Sequence, residues 1–224
     1  MSKIVCSLAS WPPRIKYVAA CVKSLLDQSV KPDEVNVNLS LMEFPHGVCD
    51  LPEELQDLEG RPDVCINWEP GNTFVFRKEI PVVKKYYGTD TIMLSVDDDI
   101  RYDHGYVERI VRDLGDSDAF NTDPGVVGFK HASRLGKFTP EFWEALTDDV
   151  IKCGISDTWH AYYLEKIGAK RDYGRPDPEL DKMCHAVAAN VSPNSERIGG
   201  YTHERIVLAD KLTRKALGLP EVTY

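Results

Sequence analysis

Residues 92–100 read Ile92-Met93-Leu94-Ser95-Val96-Asp97-Asp98-Asp99-Ile100. Four apolar side chains among the first five residues spell a strand buried on both faces, the composition of a parallel sheet. Three consecutive carboxylates follow. Like charges held together at the edge of a core are costly unless a cation offsets them. A hard divalent ion does this well, because Mg²⁺ and Mn²⁺ prefer carboxylate oxygens and share them with substrate phosphates. The carboxyl end of a strand is also where ligands bind in open α/β sheets. The competing reading is a solvated acidic turn before a helix, and the buried run directly ahead of the aspartates weighs against it.

Working outward, Lys3 to Ser10 predicts a first strand, ended by Trp11-Pro12-Pro13-Arg14. Ile15 to Asp27 carries apolar residues at helical spacing. Pro32 and Asp33 then introduce a strand from Glu34 to Ser40, whose alternating Val35, Val37 and Leu39 predict one polar face. Strand, helix, strand in this span is a βαβ unit. A third strand is expected at Val64–Trp68, and a helix over Thr73–Tyr87 with Pro81 near its first turns. Beyond the acidic strand the pattern predicts a helix over Tyr106–Leu114, a strand over Gly125–Lys130 and a helical turn at Phe142–Leu146. A helix to about Ile167 is expected, with Ser156 as its N-cap and Asp157 in its first turn. Residues 171–200 read mainly as loop, partly helical from Leu180 to Val191, before a last helix over Thr202–Leu217. Alternating strands and helices indicate a single α/β domain with a mostly parallel sheet flanked by helices.

The whole-chain totals bound the function. A chain of 224 residues, 42% hydrophobic and 28% charged, builds an ordinary globular core. A formal charge of −9 argues against a nucleic-acid partner, which needs clustered Lys and Arg. Six scattered cysteines without a C-x-x-C pair exclude a zinc ribbon and disfavour a disulfide framework. The opening MSKIVCSLAS is too short and polar for a signal peptide, and no run reaches transmembrane length, so a soluble cytoplasmic protein is expected.

In such a sheet the ends of the first and fourth strands lie side by side at a switch point. Ser7, Ser10 and Arg14 are then expected to border a pocket beside Asp97, Asp98 and Asp99. Arg77 and Lys78, just ahead of the acidic strand, are placed to offer positive charge to a diphosphate.

Three segments carry a resemblance: Ser7-Leu8-Ala9-Ser10-Trp11-Pro12-Pro13-Arg14-Ile15; Ser24-Leu25-Leu26-Asp27-Gln28-Ser29 with Lys31-Pro32-Asp33-Glu34; and Val96-Asp97-Asp98-Asp99-Ile100. Together they resemble bacterial and viral glycosyltransferases of the GT-A fold, the nucleotide-diphospho-sugar transferase type, from about Ile4 to Tyr102. The resemblance implies a metal-dependent transfer from a nucleotide-sugar donor, UDP-linked by expectation, to a carbohydrate or other hydroxyl acceptor, as in polysaccharide biosynthesis. It implies a D-x-D motif whose ends are Asp97 and Asp99, holding Mn²⁺ or Mg²⁺, with Asp98 turned back or touching the ribose. Ser7, Ser10, Arg14, Lys78, Asp97 and Asp98 would form the donor side, residues 1–102 the donor-binding part and 103–224 the acceptor-binding part.

An inverting enzyme also needs a base for the acceptor hydroxyl. Gly154-Ile155-Ser156-Asp157-Thr158-Trp159 resembles the family's later acidic segment, often A-D-D-x-W, and points to Asp157; Ser156 stands where a second Asp is usual. A helix start is expected to lower the Asp157 pKa and make it a weak base. His203 is the candidate third metal ligand, with His185 its rival. His131 and His160 are candidates for the acceptor cleft, with Trp159 and Tyr162 as sugar platforms. Two other classes fit less well. A sugar nucleotidyltransferase would show a Gly-rich loop after the first strand, where this chain has Trp11-Pro12-Pro13-Arg14. A non-catalytic nucleotide- or carbohydrate-binding module would have little reason to keep three adjacent aspartates.

Overall fold

The structure, a computed structural model, describes residues 2–122, 131–174, 177–187 and 202–222. The chain opens with strand β1 (Ile4–Ala9), helix α1 (Ile15–Leu26) and strand β2 (Glu34–Ser40). Helix α2 (Glu53–Glu59), strand β3 (Val64–Glu69), a 3-10 turn (Phe74–Lys78), helix α3 (Ile80–Tyr86) and strand β4 (Ile92–Ser95) follow. Next come β5 (Ile100–Tyr102), α4 (Tyr106–Leu114), β6 (Ala119–Thr122) and β7 (His131–Arg134). The last elements are α5 (Glu141–Glu144), α6 (Asp148–Cys153), α7 (Ser156–Lys166), β8 (Arg171–Gly174), α8 (Pro178–Lys182), β9 (Cys184–Ala186) and α9 (His203–Leu217).

Seven strands form the central sheet in the order β3-β2-β1-β4-β7-β6-β8, and β5 pairs with β9 in a small antiparallel ribbon. β3, β2, β1 and β4 run parallel. β7 runs against both its neighbours, β4 and β6, and β8 is again parallel to β6. The sheet is therefore mostly parallel, as expected, with one reversed strand. Alternate residues of β4 enter opposite cores: Ile92 and Leu94 pack with α1, α2 and α4, whereas Met93 packs with α3, α5 and α7. That two-sided burial is why the strand reads as a continuous apolar run. No helix among the described residues is long and apolar enough to cross a membrane.

Several expectations need correction. The polar face of β2 is not solvated: all seven of its residues are buried. Its amides are satisfied by the neighbouring strands, with Asn67 of β3 donating to Asn36 (2.9 Å) and Asn38 (2.8 Å), and Asn38 donating to Ser7 Oγ of β1 (2.9 Å). Thr73–Tyr87 is not one helix. The Pro81 ring would meet the Arg77 carbonyl in a continuous helix, so the chain breaks at Glu79 between the 3-10 turn and α3. Ser156 is the first residue of α7 and not its N-cap, a position held by Ile155. An additional helix, α6, is capped by the Thr147 side chain and stopped by Gly154 in the left-handed region (φ 66°). Strands β6, β7 and β8 lie where no strand was expected, and the strand expected at Gly125–Lys130 falls outside the described residues.

Candidate active site

The three aspartates occupy the connection between β4 and β5, just past the strand end. β1 and β4 are adjacent and parallel, with Ser7 opposite Ser95, and Val96 N–H extends the pairing by donating to the Ser7 carbonyl (2.9 Å). Strand order reverses at this pair, so the loops leaving β1 and β4 diverge, the place where open α/β sheets form a ligand crevice. Ser10 and Arg14 reach it from the β1 side, and Lys78 from the 3-10 turn.

The contacts are charge-assisted. Arg14 Nη2 lies 2.9 Å from Asp98 Oδ1 and also contacts Asp99. Ser10 Oγ donates to Asp98 Oδ2 (2.6 Å), and Lys78 Nζ donates to Asp97 Oδ1 (2.7 Å). Lys78 is itself placed from behind, because Ser7 Oγ donates to its carbonyl (2.5 Å). Thus Ser7, Ser10, Arg14, Lys78 and all three aspartates are brought together. Arg77 differs from its neighbour. It is buried, donating to the Ser10 carbonyl (2.5 Å), Glu43 (2.5 Å) and Asn72 (2.7 Å), so it braces the loops and faces no ligand.

The three carboxylates are not equivalent. Asp97 and Asp99 keep 35% and 19% of their side chains exposed, whereas Asp98 keeps 7%, so two can meet a ligand and the third is turned inward. Burial pushes the Asp98 carboxyl up to about 6, against the pull of Arg14 and Ser10. Burial also raises Asp99, opposed by Arg14 and reinforced by Asp97. At Asp97 burial acts in the same sense, but Lys78, then Arg14 and His131, outweigh it and hold the carboxyl low. These are hard oxygen donors with two partly open side chains, and a guanidinium already bridges Asp98 and Asp99. That donor set fits Mn²⁺ or Mg²⁺.

Asp157 lies in the first turn of α7, half-buried, and its charge interacts with Lys78, His131, Glu79 and Asp97. The expectation of a depressed pKa is overturned: burial raises it, and the Glu79 and Asp97 carboxylates add to that against His131 and Lys78. A carboxyl shifted in this direction is a stronger base once ionised.

The remaining candidates sit elsewhere. His203 is the exposed first residue of α9, a helix that packs on α6 and α7, and none of the described contacts joins it to the aspartates. His185 is on β9, 2.7 Å from Asp103. His131 and His160 do not line an open cleft; both are buried around Glu79. Trp159 is a core residue whose indole N–H donates to the Phe142 carbonyl (3.0 Å), and Tyr162 packs under Arg214 with its hydroxyl on Asp210. Glu79 went unnoticed in the sequence, where a lone glutamate before Ile80-Pro81 carries no signal.

No family model matches the chain, and no curated protein matches it in sequence. Solved structures do match. A Mycobacterium tuberculosis glucosyl-3-phosphoglycerate synthase in complex with phosphoglyceric acid aligns over 98% of this chain and 81% of its own, at 11% identity and TM-score 0.53. The same enzyme with Mn²⁺, uridine diphosphate and glucosyl-3-phosphoglycerate aligns over 98% and 81%, at 11% identity and TM-score 0.51. S. aureus TarS 1–349 with UDP is 13% identical over 96% of this chain, with TM-score 0.48. The present chain spans 65% of that TarS fragment and 22% of a longer TarS chain. At these identities the likeness is one of fold: a central sheet flanked by helices, as in GT-A nucleotide-diphospho-sugar transferases.

Proposed function

We propose that this chain is a metal-dependent glycosyltransferase that moves a sugar from a nucleotide-sugar donor, UDP-linked, to a hydroxyl acceptor with inversion. The observation that carries the reading is the pairing of Asp97, Asp98 and Asp99 with Lys78 and Arg14 across the β1–β4 switch point. The Mn²⁺ and UDP held by the synthase of like fold support the choice of ion and nucleotide.

Asp97 and Asp99 would hold the ion, which when bound supplies Lewis-acid stabilisation of the charge developing on the leaving diphosphate. Arg14 and Lys78 exchange their carboxylate partners for phosphate oxygens as the donor enters, and Arg14 offers a bidentate fork for this. Asp98, held by Ser10, keeps the Arg14 end of the site in register. Asp157 accepts the proton of the acceptor hydroxyl, and its raised pKa suits that task. In this reading residues 1–102 carry the donor and the remainder the acceptor.

The test is release of nucleotide from UDP-, GDP- and CMP-sugars with and without Mn²⁺, using wild type, Asp99→Ala and Asp157→Asn. The expected result is metal-dependent release from the UDP-sugar, abolished in Asp99→Ala. Transfer to acceptor falls about 10²- to 10⁴-fold in Asp157→Asn with donor binding retained. Turnover of UTP with a sugar 1-phosphate would instead identify a nucleotidyltransferase, and binding without turnover a non-catalytic module.

A further inference from the structure

Glu79, His131 and His160 come from three separate elements and converge in the interior. Glu79 is the one-residue break between the 3-10 turn and α3, His131 opens β7, and His160 lies in the second turn of α7. Their exposures are 2%, 3% and 1%, so water does not solvate the Glu79 carboxylate. One candidate donor atom from each lies within 4.8 Å of those of the other two.

We infer that these three residues form a buried transition-metal site, of His₂-carboxylate type and distinct from the aspartate cluster. The donor chemistry differs between the two places. Asp97 and Asp99 offer only hard oxygens, whereas two imidazole nitrogens with one carboxylate oxygen suit Zn²⁺ or Co²⁺.

The geometry carries the assignment. Glu79 Oε2 is 2.7 Å from His160 Nδ1, and Glu79 Oε1 is 3.1 Å from His131 Nε2. Both carboxylate oxygens of Glu79 are thus directed at an imidazole nitrogen, with no solvent to share them at this burial. The outer nitrogen of His160 is also engaged, with Nε2 2.8 Å from Ser133 Oγ. A metal-bound histidine typically donates its second ring N–H to such a partner, which fixes the tautomer and turns the other nitrogen's lone pair inward. The two imidazole rings stand edge to face with centroids 4.6 Å apart, so both can present a nitrogen to one point. Tetrahedral ligands at ~2.1 Å from an ion stand ~3.4 Å apart. The Glu79–His160 and Glu79–His131 pairs, at 2.7 and 3.1 Å, therefore open by roughly 0.7 and 0.3 Å as the ion enters, displacing any proton held between Glu79 and the rings.

An ion here would tie the 3-10 turn, β7 and α7 together. Lys78 precedes Glu79 directly, and Asp157 lies one helical turn before His160. The site would thus hold the phosphate-binding lysine and the base at a fixed separation, a consequence that rests on the glycosyltransferase reading; the metal site itself does not.

The experiment is titration of chelator-treated protein with Co²⁺ alone, followed by visible d–d absorption, with Zn²⁺ as competitor. One equivalent should give an intense tetrahedral-type band that Zn²⁺ removes, and Zn²⁺ should raise Tm. The band should persist in the Asp97→Asn/Asp99→Asn double variant and vanish in Glu79→Gln and in His160→Gln, with folding checked by circular dichroism. Absence of the band in folded wild type overturns the inference, as does its loss in the aspartate variant. Failure of sugar transfer with the Co²⁺ band intact would count against the enzymatic reading alone.

Discussion

At the residue scale, the aspartate cluster is a set of charges already offset within the protein. Two cations, Arg14 and Lys78, occupy three carboxylates, of which Asp98 is raised to about 6 by burial. On the proposed function, a divalent ion arriving alone must compete with Arg14 for Asp99 and with Lys78 for Asp97. A diphosphate arriving with it removes that competition, because it takes both cations as its own partners. Metal and nucleotide binding should therefore be positively coupled, by about 5- to 150-fold. Calorimetric titration of Mn²⁺ into free protein and into UDP-saturated protein measures this directly; equal affinities would show that Arg14 and Lys78 do not guard the ligands. The triplet was legible in the sequence because three acids after an apolar run are locally unmistakable. The difference between an inward Asp98 and outward Asp97 and Asp99 was not, because it depends on where Ser10 and Arg14 sit 83–89 residues earlier.

At the scale of elements, the 3-10 turn before α3 does more than join two strands. It covers the polar face of β2, presents Lys78 to the crevice and Glu79 to the interior, and is anchored by the Arg77 guanidinium. Arg77 is almost wholly buried, and burial lowers its pKa to about 10 in spite of Glu69 and Asp98. Replacing it by Met removes one partner of a buried ion pair with Glu43, so Arg77→Met should destabilise the fold by about 3–5 kcal/mol. Urea unfolding of the variant tests this, and a loss below 1 kcal/mol would mean that Glu43 is readily resolvated. Helical periodicity alone predicted a single helix here. The break at Glu79 comes from Pro81, whose effect is visible in sequence; that Glu79 there meets His131 and His160 is not.

On the scale of the whole molecule, a second charged centre sits at the opposite end of β2 from the crevice. Glu34 accepts from Lys85 (2.8 Å), Tyr86 (2.7 Å) and Asn36 (2.9 Å). Burial alone would raise its carboxyl, but these partners lower it from 4.5 to about 2. Its contribution is therefore complete above the unfolded value of 4.5 and is lost as pH falls through about 2. Glu34→Gln should flatten the acid limb of the stability curve in that window and leave its slope above pH 5 unchanged; Tm measured against pH reads both limbs.

The first half of the chain was written locally. In β1, α1, β2 and β4 the apolar spacing, the prolines at the breaks and the terminal acids each act within a few residues, so the βαβ order and the crevice at its switch point follow from sequence. The second half was not, because β6, β7 and β8 are each four residues long and draw their stability from neighbours across the sheet. Only the tertiary structure decided that the polar face of β2 is buried, since its asparagines needed Ser7 and Asn67 as partners. It also decided that the Asp157 carboxyl is raised despite opening a helix, because burial, with the Glu79 and Asp97 carboxylates, outweighs His131 and Lys78. And it alone brought Glu79, His131 and His160 together: each is separated from the next by at least 29 residues, and only the packing of α3, β7 and α7 against one another makes their side chains neighbours.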